Sequence, residues 1–114
     1  MTQQEYLAEF TKITNAMCDL TAKKNADYAD SQDAFANFRL CEELGVCTTE
    51  AGILTRMTDK LQRVANLLKR DGQVADEKIE DTLLDNAVYS IILTIYLRYE
   101  KQQRTVETST NIPL

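Results

Sequence analysis

Three carboxylates in the last apolar segment of the chain, Glu77, Asp81 and Asp85, recur at every fourth residue. In an α-helix this spacing places the three side chains on one ridge. At about 100° per residue, Asp81 and Asp85 fall inside the apolar arc of that helix. A buried carboxylate is costly unless it pairs with a cation or binds a metal. The pattern therefore predicts either ion pairs or a metal site, and in a metal site Glu77, Asp81 and Asp85 would bind Mg²⁺, with Asp81 and Asp85 as the catalytic residues.

A cationic counterpart lies in the preceding apolar segment, where Lys60 falls inside the apolar arc and Arg63 lies at its edge. Residues 48–70 carry five bases and two acids, whereas residues 76–85 carry one base and five acids. We expect the two segments to pack antiparallel with opposite charges facing each other. One interpretation is a salt-bridge network that joins Lys60 and Arg63 to Asp81 and Asp85. The other is a pocket in which the carboxylates hold Mg²⁺ and the cations hold a phosphate.

The elements that would position these residues are helices. Apolar residues recur at intervals of three and four, and this period predicts helices at about 2–26, 32–44, 49–71 and 76–103. Thr2 and Glu5 have the spacing of a capping box, Thr48 or Thr49 is the expected N-cap of the third helix, and Gly45 is expected to end the second. We predict an all-α, four-helix bundle-like single domain at residues 1–103, followed by a frayed C-terminal tail at 104–114.

The composition excludes several classes of protein. The chain has 114 residues, a net charge of −5, one proline, three cysteines and no histidine. The acidic balance argues against binding to a nucleic-acid duplex, and the lack of histidine excludes Ser–His and Cys–His nucleophile pairs. No apolar run is long enough for a membrane span, and the N-terminus lacks the pattern of a secretory signal. We therefore expect a cytoplasmic protein whose cysteines are free thiols.

Four short boxes resemble a known family when they are taken in order. They are Lys24-Asn25-Ala26-Asp27-Tyr28 (K-x-x-D-Y), Phe35-Ala36-Asn37-Phe38 (F-x-N), Asp59-Lys60 with Arg63 (D-K-x-x-R), and Glu80-Asp81-Thr82-Leu83-Leu84-Asp85 with Tyr89 (E-D-T-L-L-D-x-x-x-Y). The set is similar to the phage and bacterial nucleotide-modification-associated domain 1 family. That family distantly resembles the MazG-type all-α nucleotide pyrophosphohydrolases. The resemblance covers residues 24–96.

The resemblance implies a small helical protein that binds or acts on nucleoside phosphates, in the cytosol of a bacterial host if a phage encodes it. It implies ligand-binding roles for seven residues: Lys24, Asp27, Tyr28, Asn37, Lys60, Arg63 and Tyr89. Tyr28 would stack on a base and Asn37 would bind a base edge, although a core aromatic and a surface amide are the simpler interpretations.

The chain departs from the MazG-like pattern at the metal site. Such enzymes hold Mg²⁺ between acidic pairs on two neighbouring helices, and Asp81 and Asp85 match only one pair. The preceding helix carries Asp59 with Lys60 and Arg63 in place of the second pair. Glu42 and Glu43 are then the candidates for the missing ligands. Ala29 also stands where the first box usually continues with glycine.

Three hypotheses about function follow. The first is a Mg²⁺-dependent nucleotide phosphohydrolase, and it requires a second carboxylate pair near Asp85. The second is a protein that sequesters a nucleotide or signal nucleotide without catalysis. The third is a structural or protein-inhibiting helical module, whose charges would be fully self-paired and which would have no cleft. In each case the aromatic ridge of Tyr89, Tyr96 and Tyr99 predicts a homo-oligomer, either a dimer or a tetramer.

Overall fold

The computed structural model describes residues 1–28, 34–70 and 73–101, and it describes the side chains of 1–24, 34–70 and 76–101. The described residues are helical and contain no strand, which confirms the all-α class. The elements are α1 (Gln3–Tyr28), a 3₁₀ turn (Ala36–Phe38), α2 (Leu40–Glu43), α3 (Thr49–Leu67), α4 (Gln73–Ile95) and a π-helical turn (Tyr96–Glu100). The predicted tail at 104–114 lies outside the described residues. None of the described helices is long and apolar enough to cross a membrane.

The chain divides into two compact units between Asn37 and Phe38, and each is described by itself. In the first unit, the capping box forms as predicted. The backbone N–H of Glu5 donates to Thr2 Oγ1 at 3.1 Å, and the backbone N–H of Thr2 donates to Glu5 Oε2 at 3.0 Å. The apolar stripe of α1 is largely exposed in the single chain. The prediction of one domain over residues 1–103 stays a prediction.

The predicted second helix, residues 32–44, is wrong in its described part. Residues 36–43 form the 3₁₀ turn and the single turn of α2 rather than one continuous helix. Gly45 then ends α2 as predicted, with a φ of +75°. The N–H of Gly45 donates to the carbonyl of Glu42 at 3.0 Å, and the N–H of Val46 donates to that of Cys41 at 2.9 Å. This is the Schellman pattern, which requires a left-handed residue that glycine adopts without steric cost.

The core of the second unit lies between α3 and α4. Thr48 caps α3 by accepting a hydrogen bond from the N–H of Ala51 at 3.2 Å, as expected. The neighbouring Thr49 is fully buried and donates to Glu42 Oε2 at 2.7 Å, which ties α2 to the start of α3. The apolar side chains that are buried here are Ile53, Val64, Leu67 and Tyr96.

Ion pairs show that α3 and α4 run antiparallel, as the charge pattern predicted. Near the start of α3, Glu50 Oε1 lies 3.8 Å from Nζ of Lys101, which follows the π-helical turn. Further along, Lys60 of α3 contacts Asp85 of α4. At the same end of the unit as Glu50, Arg39 Nη2 donates to Glu100 Oε2 at 2.9 Å. The residues before α2 are thereby held against the end of the helical hairpin.

Gly52 provides a test of the contact between α2 and α3. A Cβ at this position would lie 2.5 Å from Cys41 Sγ, so we expect Gly52→Ala to lower the free energy of unfolding by about 1 kcal/mol through overpacking. In a Cys41→Ala background the sign should reverse, because alanine is favoured over glycine within a helix by about 0.5–1 kcal/mol. Urea unfolding measures both effects. Gly45→Ala is the control, and its positive φ should make it destabilising in both backgrounds.

Candidate functional site

An open cleft of about 430 Å³ lies where the end of α3 meets the beginning of α4. Six of its lining residues come from α3 and the turn after it, and one comes from α4. They are Asp59, Gln62, Arg63, Asn66, Leu67, Arg70 and Lys78. The volume is within the range of sites for small molecules and cofactors. Among the described lining residues, three cations and one carboxylate give the cleft a positive balance in a chain whose net charge is −5.

The polar wall of the cleft follows from helical spacing. Asp59, Arg63, Asn66 and Arg70 are separated by four, three and four residues, so they follow one ridge of α3 and the turn after it. Lys78 faces this ridge from the first turns of α4. Among the residues that the structure describes, no ion pair neutralises Arg63, Arg70 or Lys78. Their charges therefore remain available to an anionic ligand.

A second cluster combines cations and aromatic rings, and we call it the cation–aromatic cluster: Phe38, Arg56, Lys60, Asp85 and Tyr89. Lys60 Nζ donates to Asp85 Oδ2 at 3.3 Å and lies 5.9 Å from the centre of the Tyr89 ring. Tyr89 meets Phe38 edge to face, with centroids 6.3 Å apart. The guanidinium of Arg56 lies 5.2 Å from the centre of the Phe38 ring. Lys60 is thus engaged within the protein.

The Lys60–Asp85 ion pair is only partly buried. The side chain of Lys60 is 28% exposed and that of Asp85 is 40% exposed. Water screens a pair of this kind, and its worth is about 0–1 kcal/mol. The sequence pattern placed Asp85 within the apolar arc, and the structure gives it an intermediate position at the edge of the packed surface.

A double-mutant cycle tests whether the Lys60–Asp85 ion pair is partly exposed and weak. For Lys60→Met and Asp85→Asn, we expect a coupling free energy below about 1 kcal/mol that shrinks as salt is added. Urea unfolding of the four proteins at low and high salt measures it. A salt-insensitive coupling of about 3 kcal/mol would contradict the partial exposure of the pair, because it requires two charges that are shielded from water.

The acidic ridge does not form a metal site within the described residues. Glu77 and Asp81 are both exposed, so the expected burial of Asp81 is not found in the single chain. Asp85 is held by Lys60. No group of three acidic or thiol side chains comes together in the described ranges, whereas Mg²⁺ in proteins is bound through carboxylates in octahedral geometry. Within the described ranges, the donor set of a single chain therefore does not fit the Mg²⁺ site that the resemblance implies.

The remaining predicted ligand residues are distributed over both units. Lys60 and Tyr89 meet in the cation–aromatic cluster, while Arg63 lines the cleft. Lys24 and Asn37 belong to the first unit, where both are exposed. The side chains of Asp27 and Tyr28 lie outside the described residues. The ligand-binding roles of these residues stay predictions.

Sequence reasoning missed four residues that line the cleft: Gln62, Asn66, Arg70 and Lys78. The signal was present in part, because Asn66 and Arg70 continue the ridge that begins with Asp59 and Arg63. Lys78 is the single base of the acidic segment 76–85, and this made it a candidate for the site. Which residues of α3 lie opposite Lys78 depends on how α3 and α4 pack together. The spacing of residues in the sequence does not give this information.

No protein-family model, no curated protein and no solved structure matches the chain.

Proposed function

We propose that this protein binds a nucleoside phosphate in the cleft between α3 and α4. The observation that carries the proposal is a set of three cations, Arg63, Arg70 and Lys78, in a cleft of about 430 Å³, and the described residues supply no ion-pair partner for them. Arginine presents a planar fork of donors that matches phosphate oxygens, and lysine adds a point charge. A fixed cationic cleft on an acidic protein favours a compact anion over an extended polyanion.

The other lining residues favour a nucleotide over a bare phosphate. Gln62 and Asn66 each carry an amide donor and an amide acceptor, as the edge of a base or a ribose requires. Leu67 is 7% exposed and supplies an apolar surface at the same place. The ligand class agrees with the one that the family resemblance implies. Of the resemblance residues, only Arg63 and Asp59 belong to the cleft.

The same geometry favours binding over hydrolysis in a single chain. A hydrolase would need a set of acidic ligands around Asp85, but Asp85 pairs with Lys60, and Glu77 and Asp81 are exposed. A purely structural module would have a self-paired charge network and no cleft. The open cationic cleft therefore supports the second hypothesis, a nucleotide-binding protein. Mg²⁺-dependent hydrolysis stays a prediction that a direct assay separates from binding.

Calorimetric titration tests the proposal. We expect nucleoside di- and triphosphates to bind more tightly than monophosphates, and the parent nucleosides to bind weakly or not at all. Inorganic pyrophosphate, as a separate arm, tells whether the phosphates alone are sufficient. Binding should weaken with added salt because exposed charges are screened. If none of these compounds binds at millimolar concentration, with or without Mg²⁺, the proposal is wrong.

An incubation with Mg²⁺ in which released phosphate and released pyrophosphate are both measured separates the two nucleotide hypotheses. For a binding protein, we expect the bound nucleotide to be recovered intact after long incubation, and a thermal shift that does not require Mg²⁺. Release of pyrophosphate that Asp81→Asn and Asp85→Asn abolish would instead establish the hydrolase, with the missing ligands supplied from outside the described residues.

We also propose that the protein self-associates through one face of the α3–α4 hairpin. The predicted ridge of Tyr89, Tyr96 and Tyr99 does not provide this face, because Tyr96 is 0% exposed and Tyr89 packs against Phe38. Leu54, Leu61 and Leu68 recur every seven residues on α3, and each is at least half exposed. Because the helices are antiparallel and Lys60 meets Asp85, Leu61 lies level with Leu84 and Leu54 lies level with Ile91. A heptad stripe flanked by a second apolar row is typical of helices that pair with an identical face. A second copy of the chain is therefore the occupant.

Leu61→Lys tests this face. We expect the substitution to convert the oligomer to a monomer, because a charge at the centre of an apolar interface is desolvated without a partner. Light scattering coupled to size-exclusion chromatography measures the mass. Leu44→Lys is the matched control, since Leu44 is 69% exposed and lies between α2 and α3, away from the stripe. A wild-type protein that is monomeric at all concentrations would contradict the proposal.

A further inference from the structure

Two of the three cysteines meet where α2 joins α3. The N–H of Cys47 donates to the carbonyl of Cys41 at 3.3 Å, so the two backbones are neighbours. An ideal Cβ on Gly52 would lie 2.5 Å from Cys41 Sγ and 3.8 Å from Cys47 Sγ. Both sulfurs therefore lie against one point of α3. The hydrogen bond between the two thiols, together with desolvation and the nearby charge of Glu42, raises the pKa of Cys47.

The lack of a side chain at Gly52 creates the space that Cys41 Sγ occupies. Cys41 Sγ lies 3.7 Å from both the carbonyl of Phe38 and that of Thr48. These are weak interactions that rotation of the side chain breaks at little cost. Cys41 and Cys47 are both half-buried, whereas Cys18 is exposed and belongs to the other unit. The chain thus contains one thiol pair and one separate thiol.

We propose that Cys41 and Cys47 form a redox-active dithiol, a modification site that a peroxide converts to an intramolecular disulfide. The juxtaposition of the two sulfurs over Gly52, between hydrogen-bonded backbones, carries the proposal. Bridging requires Cα atoms that are near neighbours and Cβ atoms that point toward each other. The pair is independent of the nucleotide cleft, whose lining residues do not include either cysteine.

The reaction balances with a peroxide as the two-electron oxidant. One thiolate attacks a peroxide oxygen, the O–O bond breaks, and a sulfenic acid forms while water or an alcohol leaves. The second thiol loses its proton and attacks the sulfenic sulfur, the S–S bond forms, and water leaves. Two thiols are oxidised and one peroxide is reduced. The disulfide would close the segment 41–47 and join α2 to the residue that precedes Thr48, the N-cap of α3.

The test uses the full-length Cys18→Ser protein, which retains only the pair. The protein is treated with graded hydrogen peroxide, denatured, alkylated with N-ethylmaleimide and analysed by intact and peptide mass spectrometry. We expect a product without a covalent link between chains. It should have lost two hydrogen atoms, carry no alkyl group and regain two alkylation sites after reduction. Oxidised glutathione should give the same internal disulfide in place of a stable mixed disulfide.

A variant with a single thiol shows which peroxide concentration is sufficient to oxidise a cysteine at this site. In the Cys18→Ser/Cys47→Ser protein the remaining thiol cannot close a ring, so we expect sulfenic acid that dimedone traps at the same peroxide concentrations. If the paired protein still accepts two alkyl groups at peroxide concentrations that oxidise this control, the proposal is overturned. Products that are only intermolecular dimers, or sulfinic acid at both positions, would also overturn it.

Discussion

Arg63→Ala is expected to weaken the binding of a nucleoside triphosphate by about 10- to 100-fold. Arg63 lines the cleft, and no ion pair holds it among the described residues. A hydrogen bond to a charged group contributes about 1.5–3 kcal/mol, and about 1.4 kcal/mol corresponds to a factor of ten in affinity. Because the side chain is exposed, the free energy of unfolding should change by less than about 0.5 kcal/mol. Calorimetric titration and urea unfolding measure the two quantities.

Two matched variants show whether the effect belongs to the cleft. Arg56→Ala removes the same charge from the same helix, but Arg56 lies over the ring of Phe38 and not in the cleft. We expect it to change affinity by no more than about twofold, through the screened long-range field. Arg63→Lys keeps the charge but loses the fork, and it should weaken binding by about tenfold. Equal losses for Arg63→Ala and Arg56→Ala would show that binding depends on general charge and not on the cleft.

Tyr96→Ala is expected to lower the free energy of unfolding by about 3–5 kcal/mol, the largest stability effect of any substitution considered. Tyr96 is 0% exposed and is the largest fully buried side chain in the described residues. It begins the π-helical turn that follows α4. Truncation of a buried aromatic side chain loses the transfer free energy of the ring and leaves a cavity. Urea unfolding followed by far-UV circular dichroism measures the change.

Tyr99→Ala is the matched control, because Tyr99 belongs to the same π-helical turn but is 58% exposed. We expect a change within about 0.5 kcal/mol in the monomer. Should Tyr96→Ala fail to fold, Tyr96→Phe keeps the ring and should cost no more than about 1.5 kcal/mol, the net worth of one hydrogen bond. Similar losses for Tyr96→Ala and Tyr99→Ala would contradict the position of the core.

The α3–α4 hairpin carries two separate charge clusters, the cation–aromatic cluster and the cationic cleft. Lys60 and Arg63 are three residues apart, yet Lys60 contacts Asp85 and Tyr89 while Arg63 lines the cleft. The sequence pattern treated them as one phosphate-binding pair facing one acidic ridge. In the structure, Lys60 pairs with Asp85 and does not line the cleft. The cations that line the cleft together with Arg63 are Arg70 and Lys78.

Helix starts and stops were predictable because they depend on neighbours in the chain. The reciprocal bonds of Thr2 and Glu5, the cap at Thr48 and the left-handed Gly45 all involve hydrogen bonds between residues no more than five apart. The failure at 32–44 has the opposite origin, because the extent of this helix does not depend on its nearest neighbours in the chain alone. A single turn such as α2 gains too few hydrogen bonds to overcome the cost of nucleation by itself, so its extent depends on contacts such as that of Glu42 with Thr49.

The amino-acid sequence by itself determined the all-α class, the antiparallel order of the two charged segments and the angular position of each side chain on its own helix. Only the tertiary structure decided which cations meet a carboxylate and which remain available. That choice depends on how far each helix is rotated about its axis and at what level the two helices meet. The close packing of buried residues far apart in the chain, above all Ile53, Val64 and Tyr96, sets both quantities. The period of the apolar residues gives the angular positions of side chains about the axis of one helix. The cleft and the thiol pair are formed by residues of different elements, so their geometry depends on how those elements pack.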